Sequence, residues 1–399
     1  MKIKGFFKDV TGAFRVARKR KKLIKKSSNT LVYDDPIREV AEACHPEFLD
    51  LIVTSVVDVA SSARKITFER LDGMKLPPFE AGQYVSLELK IGTSLTTRPY
   101  SVCSSPSEAR SKSHPHISIT VRDGLPGIGF ASSYLYSSTK VGDTFRAHFP
   151  FGFFYFEPLR DANSVVALAG GSGITPFLSM AKEIKVGKLD CSLVILYGSK
   201  SSKDIILKDE LLSCECDKVK VIPVISDEPD YCGEKGFLDA SLILKYSPFP
   251  PSSGKVSYFV CGPSKMYEFV KGELEKLNVP SKRIRMESFA PKAIKEYADY
   301  PLGDELKHFK IKIHQGLNEF EIPCFSSESV LVALERAGIA SPSRCRSGEC
   351  GFCRLELISG QVYVPSQNDG RRYADKEYGY IHSCSSFPLS DLEIRIQIR

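Results

Sequence analysis

No run of about eighteen consecutive apolar residues, the length that indicates a membrane-spanning helix, occurs in this 399-residue chain. The N-terminus is basic but lacks the apolar core of a secretion signal, so we expect a cytoplasmic protein that is at most peripheral at a membrane. Hydrophobic residues make up 42% of the sequence and charged residues 26%, as in ordinary folded proteins. This length is enough for about two or three domains.

An overall basic surface is also absent. The formal net charge is +7, but residues 1–30 hold eleven Lys and Arg against one Asp, a balance of +10, which leaves about −3 for the rest of the chain. The high isoelectric point therefore reflects a local tail, and we expect no nucleic-acid binding.

The basic tail also has a short apolar pattern. Apolar residues recur at helical spacing ahead of a dense run of cations, at Phe6, Phe7, Val10, Phe14 and Ala17. A basic amphipathic helix suits weak docking on an anionic membrane surface or an acidic partner. A solvated, partly disordered arm explains the same composition, and the sequence leaves both open. Residues 31–48 connect this tail to the rest, with a short helical stretch near Ile37–Cys44, so residues 1–48 form a basic N-terminal extension.

Alternating β-branched runs begin at Leu49, and clusters of Gly and Pro separate them. Six short strands predict a small antiparallel barrel over residues 49–158. The predicted strands are Leu51–Val59, Lys65–Glu69, Tyr84–Lys90, Tyr100–Ser104, His116–Val121 and Thr144–Phe149.

From Ser164 apolar strands alternate with helices, which predicts a parallel α/β domain over residues 159–290. Its predicted strands are Ser164–Ala169, Leu193–Tyr197, Lys220–Ile225 and Tyr258–Cys261, and its predicted helices run to about Lys185, over Lys208–Ser213 and over Lys265–Leu277. Residues 291–305 are predicted to be a linker. Residues 306–399 begin with a hairpin, Phe309–His314 and Glu319–Ile322, followed by a helix at Ser329–Ala337.

The last region contains four cysteines with a distinctive spacing. Cys345, Cys350 and Cys353 form C-x4-C-x2-C, and Cys384 follows after thirty intervening residues. Four thiolates are what a [2Fe–2S] cluster needs, and this spacing is of the plant type. These four residues are therefore the predicted metal ligands.

Other uses of these cysteines fit less well. Zinc sites usually pair two short C-x2-C units, and a disulfide framework is unexpected in a long chain without a secretion signal. Ser347, Gly348 and Gly351 are small, which allows tight turns and brings backbone N–H groups near inorganic sulfides. The other eight cysteines are scattered, which suggests reduced thiols.

The tetrapeptide Arg98-Pro99-Tyr100-Ser101 stands at the start of a predicted strand. The planar guanidinium of Arg98 suits a flavin pyrophosphate. Tyr100 can pack its ring on an isoalloxazine face, and Ser101 offers a hydroxyl near the ring's N5. Taken alone, the tetrapeptide also fits a surface arginine and a packed tyrosine.

A second stretch, from Gly127 to Ser132, precedes a helical segment. A Gly-containing loop at a helix N-terminus is a natural pyrophosphate site, which makes Gly129, Ala131 and Ser132 candidate flavin-binding residues. Simple capping of the helix is the alternative. Pro150–Phe153 would form an edge that closes the flavin barrel.

The segment Gly170–Pro176 follows an apolar strand and opens a helix. Its glycines, Gly170, Gly171 and Gly173, allow the backbone to approach a dinucleotide phosphate, and Thr175 and Pro176 begin the helix. The G-x-G-x-x-G fingerprint is absent, and a tight strand–helix turn is the alternative.

Cys261-Gly262-Pro263 ends another apolar strand, where ligands of α/β sheets bind, so Cys261 is expected to line the nicotinamide site. A buried small thiol is the alternative. Lys200 and Lys203 follow the strand Leu193–Tyr197 and suit a 2′-phosphate, with no acid directly after the strand. Both are also ordinary surface residues, so the choice of NADH or NADPH stays open.

Together these motifs resemble, in order and spacing, the ferredoxin–NADP reductase superfamily. The C-terminal region resembles the oxygenase-reductase type, a domain order shared by phthalate dioxygenase reductase and phenylacetyl-CoA epoxidase reductase. The resemblance covers about residues 49–399. It implies an antiparallel flavin-binding β-barrel, a parallel α/β nicotinamide-binding domain and a C-terminal β-grasp ferredoxin-like domain.

The resemblance also implies an oxidoreductase for electron transport. Electrons would pass from NAD(P)H to FAD, with FMN as the alternative, then to the [2Fe–2S] cluster and to a separate acceptor, an oxygenase or other redox enzyme. By this resemblance Arg98 holds flavin phosphate, and Ser101, Cys261 and Glu287 are catalytic. Glu287 and Phe289 match the family's end of the nicotinamide domain, where an acid and an aromatic approach the flavin.

Two alternatives remain compatible with the sequence. Electrons could flow in reverse, from a protein donor to NAD(P)+, because the direction depends on potentials that hydrogen bonds and solvent exposure set. The chain could also be a non-catalytic electron-transfer subunit of a larger complex, docked through its basic tail.

Overall fold

The structure is a computed structural model that describes residues 5–27, 35–124, 130–287, 289, 294, 297–303 and 306–397. The chain divides into two units, Met1–His45 and Pro46–Arg399. None of the described helices combines the length and the apolar character needed to cross a membrane.

The first unit consists of two helices, α1 (Phe6–Lys26) and α2 (Pro36–Cys44). Helix α1 is longer than the predicted stretch and has no buried residue. The carboxylate of Asp35 caps α2 by accepting hydrogen bonds from two backbone N–H groups, and Pro36 occupies the first turn, so the entry to α2 is set by local sequence.

The second unit begins with a six-stranded antiparallel sheet. Its elements are β1 (Leu49–Ala60), β2 (Ala63–Arg70), β3 (Tyr84–Ile91), β4 (Ser94–Ser101), α3 (Pro106–Ala109), β5 (Ile117–Arg122), α4 (Phe130–Ser138) and β6 (Thr144–Phe151). The strand order is β4-β3-β6-β1-β2-β5, and a single bridge between Val102 and Ile119 joins the two edges. The predicted antiparallel β domain is therefore confirmed, but in the described residues its sheet is not a fully closed barrel.

The predicted strand Tyr100–Ser104 is wrong in its bounds. Strand β4 already begins at Ser94, because the β3–β4 hairpin turns at Gly92, whose φ is +61°, and β-branched threonines continue it. It ends at Ser101, and Ser105 then caps α3. Arg98–Ser101 therefore lies at the end of a strand and not at its start.

A parallel six-stranded sheet follows. Its elements are β7 (Ser164–Gly170), α5 (Thr175–Lys185), β8 (Ser192–Ser199), α6 (Lys208–Ser213), β9 (Val219–Ile225), β10 (Glu234–Lys235), α7 (Ala240–Tyr246), β11 (Val256–Cys261), α8 (Ser264–Lys276) and β12 (Ile284–Glu287). The order is β10-β9-β8-β7-β11-β12. The chain reverses its direction across the sheet between β7 and β11, which is where such sheets bind ligands.

Strand β12 is absent from the sequence predictions. Its residues alternate apolar with charged side chains, and Arg285 is buried because its guanidinium pairs with Asp161, Nε to Oδ1 at 2.9 Å. A buried ion pair replaces the apolar run that normally indicates such a strand.

The C-terminal part, as far as the structure describes it, combines a five-stranded mixed sheet and a two-stranded sheet with two short helices. Its elements are β13 (His308–Gln315), β14 (Asn318–Phe325), α9 (Val330–Arg336), β15 (Arg354–Ser359), β16 (Val362–Tyr363), α10 (Tyr373–Glu377), β17 (Tyr380–His382), β18 (Phe387–Pro388) and β19 (Leu392–Ile396). The order β14-β13-β19-β15-β17, with β13 and β19 parallel, confirms the ferredoxin-like β-grasp arrangement.

The described part of the predicted linker is packed rather than extended. Ile294, Tyr297 and Tyr300 are buried against Phe387, and the Tyr300 hydroxyl donates to the Ser326 carbonyl at 2.8 Å. This stretch therefore contacts the C-terminal region closely.

Candidate functional site

Two glycine-containing turns meet at the carboxyl ends of β7 and β11. A Cβ atom on Gly173 would clash with the carbonyl oxygen of Cys261, and one on Gly170 would meet Met266. The close approach requires glycine at both positions. The two predicted nicotinamide motifs, Gly170–Pro176 and Cys261–Pro263, therefore form one surface.

A cavity of about 540 Å³ opens beside these turns. Its lining includes Gly170, Gly171 and Pro263 from the predicted motifs and the cations Arg122, Lys200 and Lys265. Lys203 is not part of this lining. Arg122 and Lys265 were missed from the sequence, although they stand at the end of β5 and in the first turn of α8.

The three predicted catalytic residues come together from three strands. The Ser101 hydroxyl, at the end of β4, donates to Glu287 Oε2 at 3.1 Å. Cys261 lies opposite Glu287 in the β11–β12 ladder. The Tyr267 hydroxyl accepts from the Gly262 N–H at 3.1 Å and donates to the Glu287 carbonyl, which ties the ends of the two strands together.

The environment of this group favours its neutral forms. Burial raises the pKa of Glu287 to about 8; the hydrogen bond from Ser101 opposes this rise, and the charge of Glu349 adds to it. Burial, together with the charge of Glu287, raises the pKa of the Cys261 thiol well above its ordinary value. Cys261 therefore presents a protonated thiol to the site, and Glu287 is the group that changes charge near neutral pH.

The predicted flavin residues on β4 and α4 also meet. The hydroxyl groups of Tyr100 and Ser132 lie 3.1 Å apart, and Ala131 and Pro99 are buried beside them. Gly129 lies outside the described residues. This contact joins the two candidate flavin motifs into one surface of the barrel.

Arg98 points elsewhere than the prediction implies. Its guanidinium Nη1 donates to the Thr97 carbonyl at 2.9 Å and lies 3.5 Å from Glu335 Oε2 on α9. Burial, with the nearby charge of Arg346, lowers the pKa of Arg98 to about 10. The structure thus places this cation at the contact between the barrel and the C-terminal region.

Aromatic rings line the space between Glu287 and the cysteine loop. The rings of Phe289 and Tyr84 are 5.2 Å apart in an edge-to-face contact, and Tyr84 also packs against Phe151. Tyr84 was not recognised from the sequence, because an aromatic residue in a strand is most simply a core residue. Burial and the nearby thiolates of the loop raise its pKa.

The four predicted cluster cysteines form two pairs. Cys353 Sγ and Cys384 Sγ are 3.3 Å apart. Cys345 Sγ accepts hydrogen bonds from the backbone N–H groups of Ser347 at 3.5 Å and Cys350 at 3.4 Å. The hydrogen bond from the Cys350 thiol lowers the pKa of Cys345, and the same pairing raises the pKa of Cys350, so the two thiols share one proton.

This arrangement fits a two-iron cluster. Cys353 and Cys384 form one thiol pair and Cys345 and Cys350 the other, so the four residues could offer two ligands to each of two irons. Gly348 has a φ of +84°, and a Cβ there would clash with the Asn368 carbonyl. The loop is therefore shaped for N–H groups to face sulfur.

Arginines connect the cluster loop to the barrel. The Arg344 guanidinium lies 3.8 Å from the ring centroid of Phe151 on β6 and 3.5 Å from that of Phe352. Arg346, whose φ is +58°, donates to Glu335 Oε2 at 3.1 Å and to the Thr97 carbonyl at 3.3 Å. Sequence reasoning missed the contacts with Phe151 and Thr97 because these partners lie about 190 and 249 positions away in the chain.

Comparisons with known proteins agree with this geometry. An oxidoreductase NAD-binding domain family matches residues 167–272, and a 2Fe-2S iron-sulfur cluster binding domain family matches residues 313–389. The first match spans β7 to α8, and the second spans the four cysteines.

Full-length relatives share the same order. The glycine betaine monooxygenase reductase subunit of Pseudomonas aeruginosa is 28% identical over 335 residues, covering 79% of this chain and 87% of the relative. The ferredoxin reductase component of 3-ketosteroid-9-alpha-monooxygenase from Mycobacterium tuberculosis is 28% identical over 357 residues, covering 86% and 94%.

A solved structure extends the match to the barrel. The structure of phthalate dioxygenase reductase, described as a modular structure for electron transfer from pyridine nucleotides to [2Fe–2S], is 27% identical with a TM-score of 0.63. The match covers 88% of this chain and 98% of that protein. The chain is an oxidoreductase with nicotinamide, flavin and [2Fe–2S] sites. It contains an oxidoreductase NAD-binding domain followed by a C-terminal 2Fe-2S iron-sulfur cluster binding domain, and over most of its length it is similar to reductase components of oxygenase systems.

Proposed function

We propose that this NAD(P)H-dependent iron–sulfur flavoprotein reductase supplies electrons to a separate oxygenase-type enzyme. The main support is the continuous arrangement of its sites. The nucleotide cavity adjoins Cys261, which lies opposite Glu287, and the Phe151–Arg344–Phe352 contact joins the barrel to the cluster loop. The relatives named above are reductase components of oxygenase systems, which supports the direction from NAD(P)H to acceptor.

Tyr100, Ser132 and Phe289 would hold a flavin between these sites, and it would supply the conversion of a two-electron hydride donor into the single electrons that a [2Fe–2S] centre accepts. Ser101 and Glu287 hold a proton in the buried site, and Cys261 packs against them without ionising. Tyr100 and Phe289 provide ring faces for the flavin. We assign FAD rather than FMN because Ala131 and Ser132 stand in the first turn of α4, and a helix N-terminus suits a pyrophosphate.

The proposed phosphate role of Arg98 requires a change of partner. Glu335 pairs with both Arg98 and Arg346, and the contact with Arg346 is the closer one. When Arg98 turns to a flavin phosphate, Glu335 keeps its charge partner, so the exchange leaves no buried carboxylate unpaired. Residues 49–158, 159–290 and 306–399 are the proposed flavin, nicotinamide and ferredoxin domains, with residues 291–305 joining the last two.

Anaerobic titration with NADPH and NADH tests the function directly. Flavin absorbance should bleach first, and the visible bands of the cluster should follow, because the cluster accepts electrons only after the flavin has been reduced. Absorbance spectra recorded after each addition give the order. If both chromophores are present and neither nucleotide bleaches the flavin, electrons must enter from a protein donor and the proposal is wrong.

The first unit is proposed to be a weak docking element for an anionic membrane surface or an acidic partner. Helix α1 exposes Phe7 by 83% and Phe14 by 66%, and the described part of this helix has a single acidic residue, Asp9, among many cations. Exposed aromatics beside clustered Lys and Arg are typical of interfacial helices.

All twelve cysteines lie in the described residues and form no disulfide, which supports a reducing, cytoplasmic location.

Deleting residues 1–30 should leave NAD(P)H-to-dye reduction within about twofold of the full chain, because none of the proposed redox residues lies there. Binding to vesicles that contain anionic lipid should fall about tenfold or more, since each Lys or Arg near such a surface contributes about 1 kcal/mol. Co-sedimentation measures the binding, and neutral vesicles serve as the control. An equal loss of dye reduction and of vesicle binding would contradict this division of roles. If the full chain binds an acidic protein but not anionic vesicles, the docking element serves a protein partner and not a membrane.

A further inference from the structure

The nucleotide cavity has more cations than carboxylates in its lining. Arg122, Lys200 and Lys265 line it, and Asp204 is the only carboxylate among the lining residues that the structure describes. Some positive charge serves the pyrophosphate, which also lies near the glycine turn after β7. Lys200 is the lining cation that directly follows β8.

Two of the carboxylates near the end of β8, Asp204 and Glu228, are already engaged. Asp204 accepts hydrogen bonds from Ser61 Oγ at 3.2 Å and Ser201 Oγ at 3.0 Å. Glu228 accepts from the Ser202 N–H at 2.7 Å and the Ser202 hydroxyl at 3.1 Å. Both acids therefore hold the loop after β8 and are not directed at a ribose diol.

Lys200 stands where selectivity for the adenosine ribose is set. It follows β8 (Ser192–Ser199) directly, and β8 is the second strand of the β7–α5–β8 unit that carries the glycine turn. NAD-selective sites place an acid near the end of this second strand to accept from the ribose hydroxyls, whereas NADP sites place a cation there for the 2′-phosphate. Within the described part of the chain, the Lys200 ammonium makes no hydrogen bond or ion pair.

We propose that Lys200 binds the 2′-phosphate of NADPH and makes NADPH the preferred electron donor, an inference that rests on the proposed function. An ammonium group binds phosphate oxygens by charge-assisted hydrogen bonds. The ribose of NADH offers only a hydroxyl at the same position, and it gains nothing from an exposed ammonium. Lys203, three residues further on, lies outside the cavity and has no such role.

The test compares both nucleotides on the full-length, cofactor-loaded protein. Stopped-flow flavin bleaching and steady-state dye reduction should give a kcat/KM for NADPH at least about tenfold above that for NADH. Lys200→Ala should lower the NADPH-to-NADH ratio by about tenfold or more. Lys203→Ala, the matched control from the same loop, should leave the ratio unchanged. A wild-type preference for NADH, or an unchanged ratio in Lys200→Ala, would overturn the inference.

A binding measurement separates this inference from the function on which it rests. Calorimetry of the oxidised protein should show that 2′,5′-ADP binds about tenfold tighter than 5′-AMP, and that Lys200→Ala removes the difference. Equal binding of the two nucleotides alongside flavin bleaching by NADH would overturn the inference alone. A preference for 2′,5′-ADP with no flavin bleaching by either donor would overturn the proposed function alone.

Discussion

Replacing Cys350 with serine should abolish the visible absorbance of the cluster while NAD(P)H still bleaches the flavin. Serine removes one of the four thiolates that the cluster needs, although the backbone N–H of residue 350 can still donate to Cys345 Sγ. Reduction of a one-electron acceptor such as cytochrome c should fall by more than about 100-fold, because even changes to groups that only support metal ligands cost roughly 10–100-fold. Hydride transfer to the flavin involves none of these thiols and should persist.

Cys232→Ser is a matched control, because Cys232 is also an exposed free cysteine but lies outside the cluster loop. It should keep both the cluster absorbance and the acceptor rate. Circular dichroism is needed alongside, since metal binding contributes to the stability of small metal domains. If Cys350→Ser stays folded but its flavin is no longer reduced, the cluster is not downstream of the flavin and the proposed electron order is wrong.

Replacing Glu287 with glutamine should remove the pH dependence that this carboxyl group gives to the free energy of unfolding and to the rate of flavin reduction. The pKa of Glu287 is about 8 in the folded chain, against an ordinary value of 4.5. Between these two pH values the folded state binds more protons than the unfolded state, so the free energy of unfolding falls as the pH rises. Glutamine does not ionise, so between pH 5 and pH 9 the variant should gain about 4 kcal/mol relative to the wild type.

The rate of flavin reduction should depend on the ionisation of the same carboxyl group. Above about pH 8 the buried carboxylate is charged, and this charge opposes the negative charge that a hydride brings to the acceptor. The wild-type rate should therefore fall about tenfold per pH unit well above the pKa of Glu287, and the variant rate should stay flat. Stopped-flow bleaching across pH 6 to 9.5 measures both.

Ser101→Ala provides a control for which the direction of the change in the pKa of Glu287 is known in advance. The hydrogen bond from Ser101 lowers the pKa of Glu287, so its removal should move the midpoint of the pH profile above 8. A Glu287→Gln profile that still falls with the wild-type midpoint would show that a different group titrates, and the assignment of Glu287 would fail.

The sequence predicts the parts of this protein whose signals are local. The spacing of Cys345, Cys350 and Cys353 is set within one loop, and the Gly170–Pro176 turn follows directly from an apolar strand before a helix. Both features lie within the family matches. The apolar runs of the parallel sheet likewise predict β7, β8, β9 and β11 within two residues at most ends, because strands buried on both faces need apolar residues throughout.

Features that depend on distant partners could not be predicted. The edge strand β12 is held by the Arg285–Asp161 pair, and the strands that follow the cluster loop are short and partly polar. Arg98 was assigned to phosphate from its motif alone, whereas its contact with Glu335 on α9 joins residues 237 positions apart. Such pairings appear only when both segments are placed, since each residue alone looks like an ordinary surface charge.

The Thr97 carbonyl, described above as an acceptor for Arg346, limits how far this protein can be treated as interchangeable modules. The side chain of Arg346, a residue with left-handed backbone, donates to the Thr97 carbonyl on β4, and Arg98 donates to the same carbonyl. The Thr97 hydroxyl donates to the Ser343 carbonyl at 3.1 Å. The cluster loop is therefore held partly by a strand of the barrel. This ferredoxin domain, moved into a reductase without this β4, would lose these hydrogen bonds. Exchanging ferredoxin domains between reductases therefore requires that β4 be transferred together with the cluster loop that it supports.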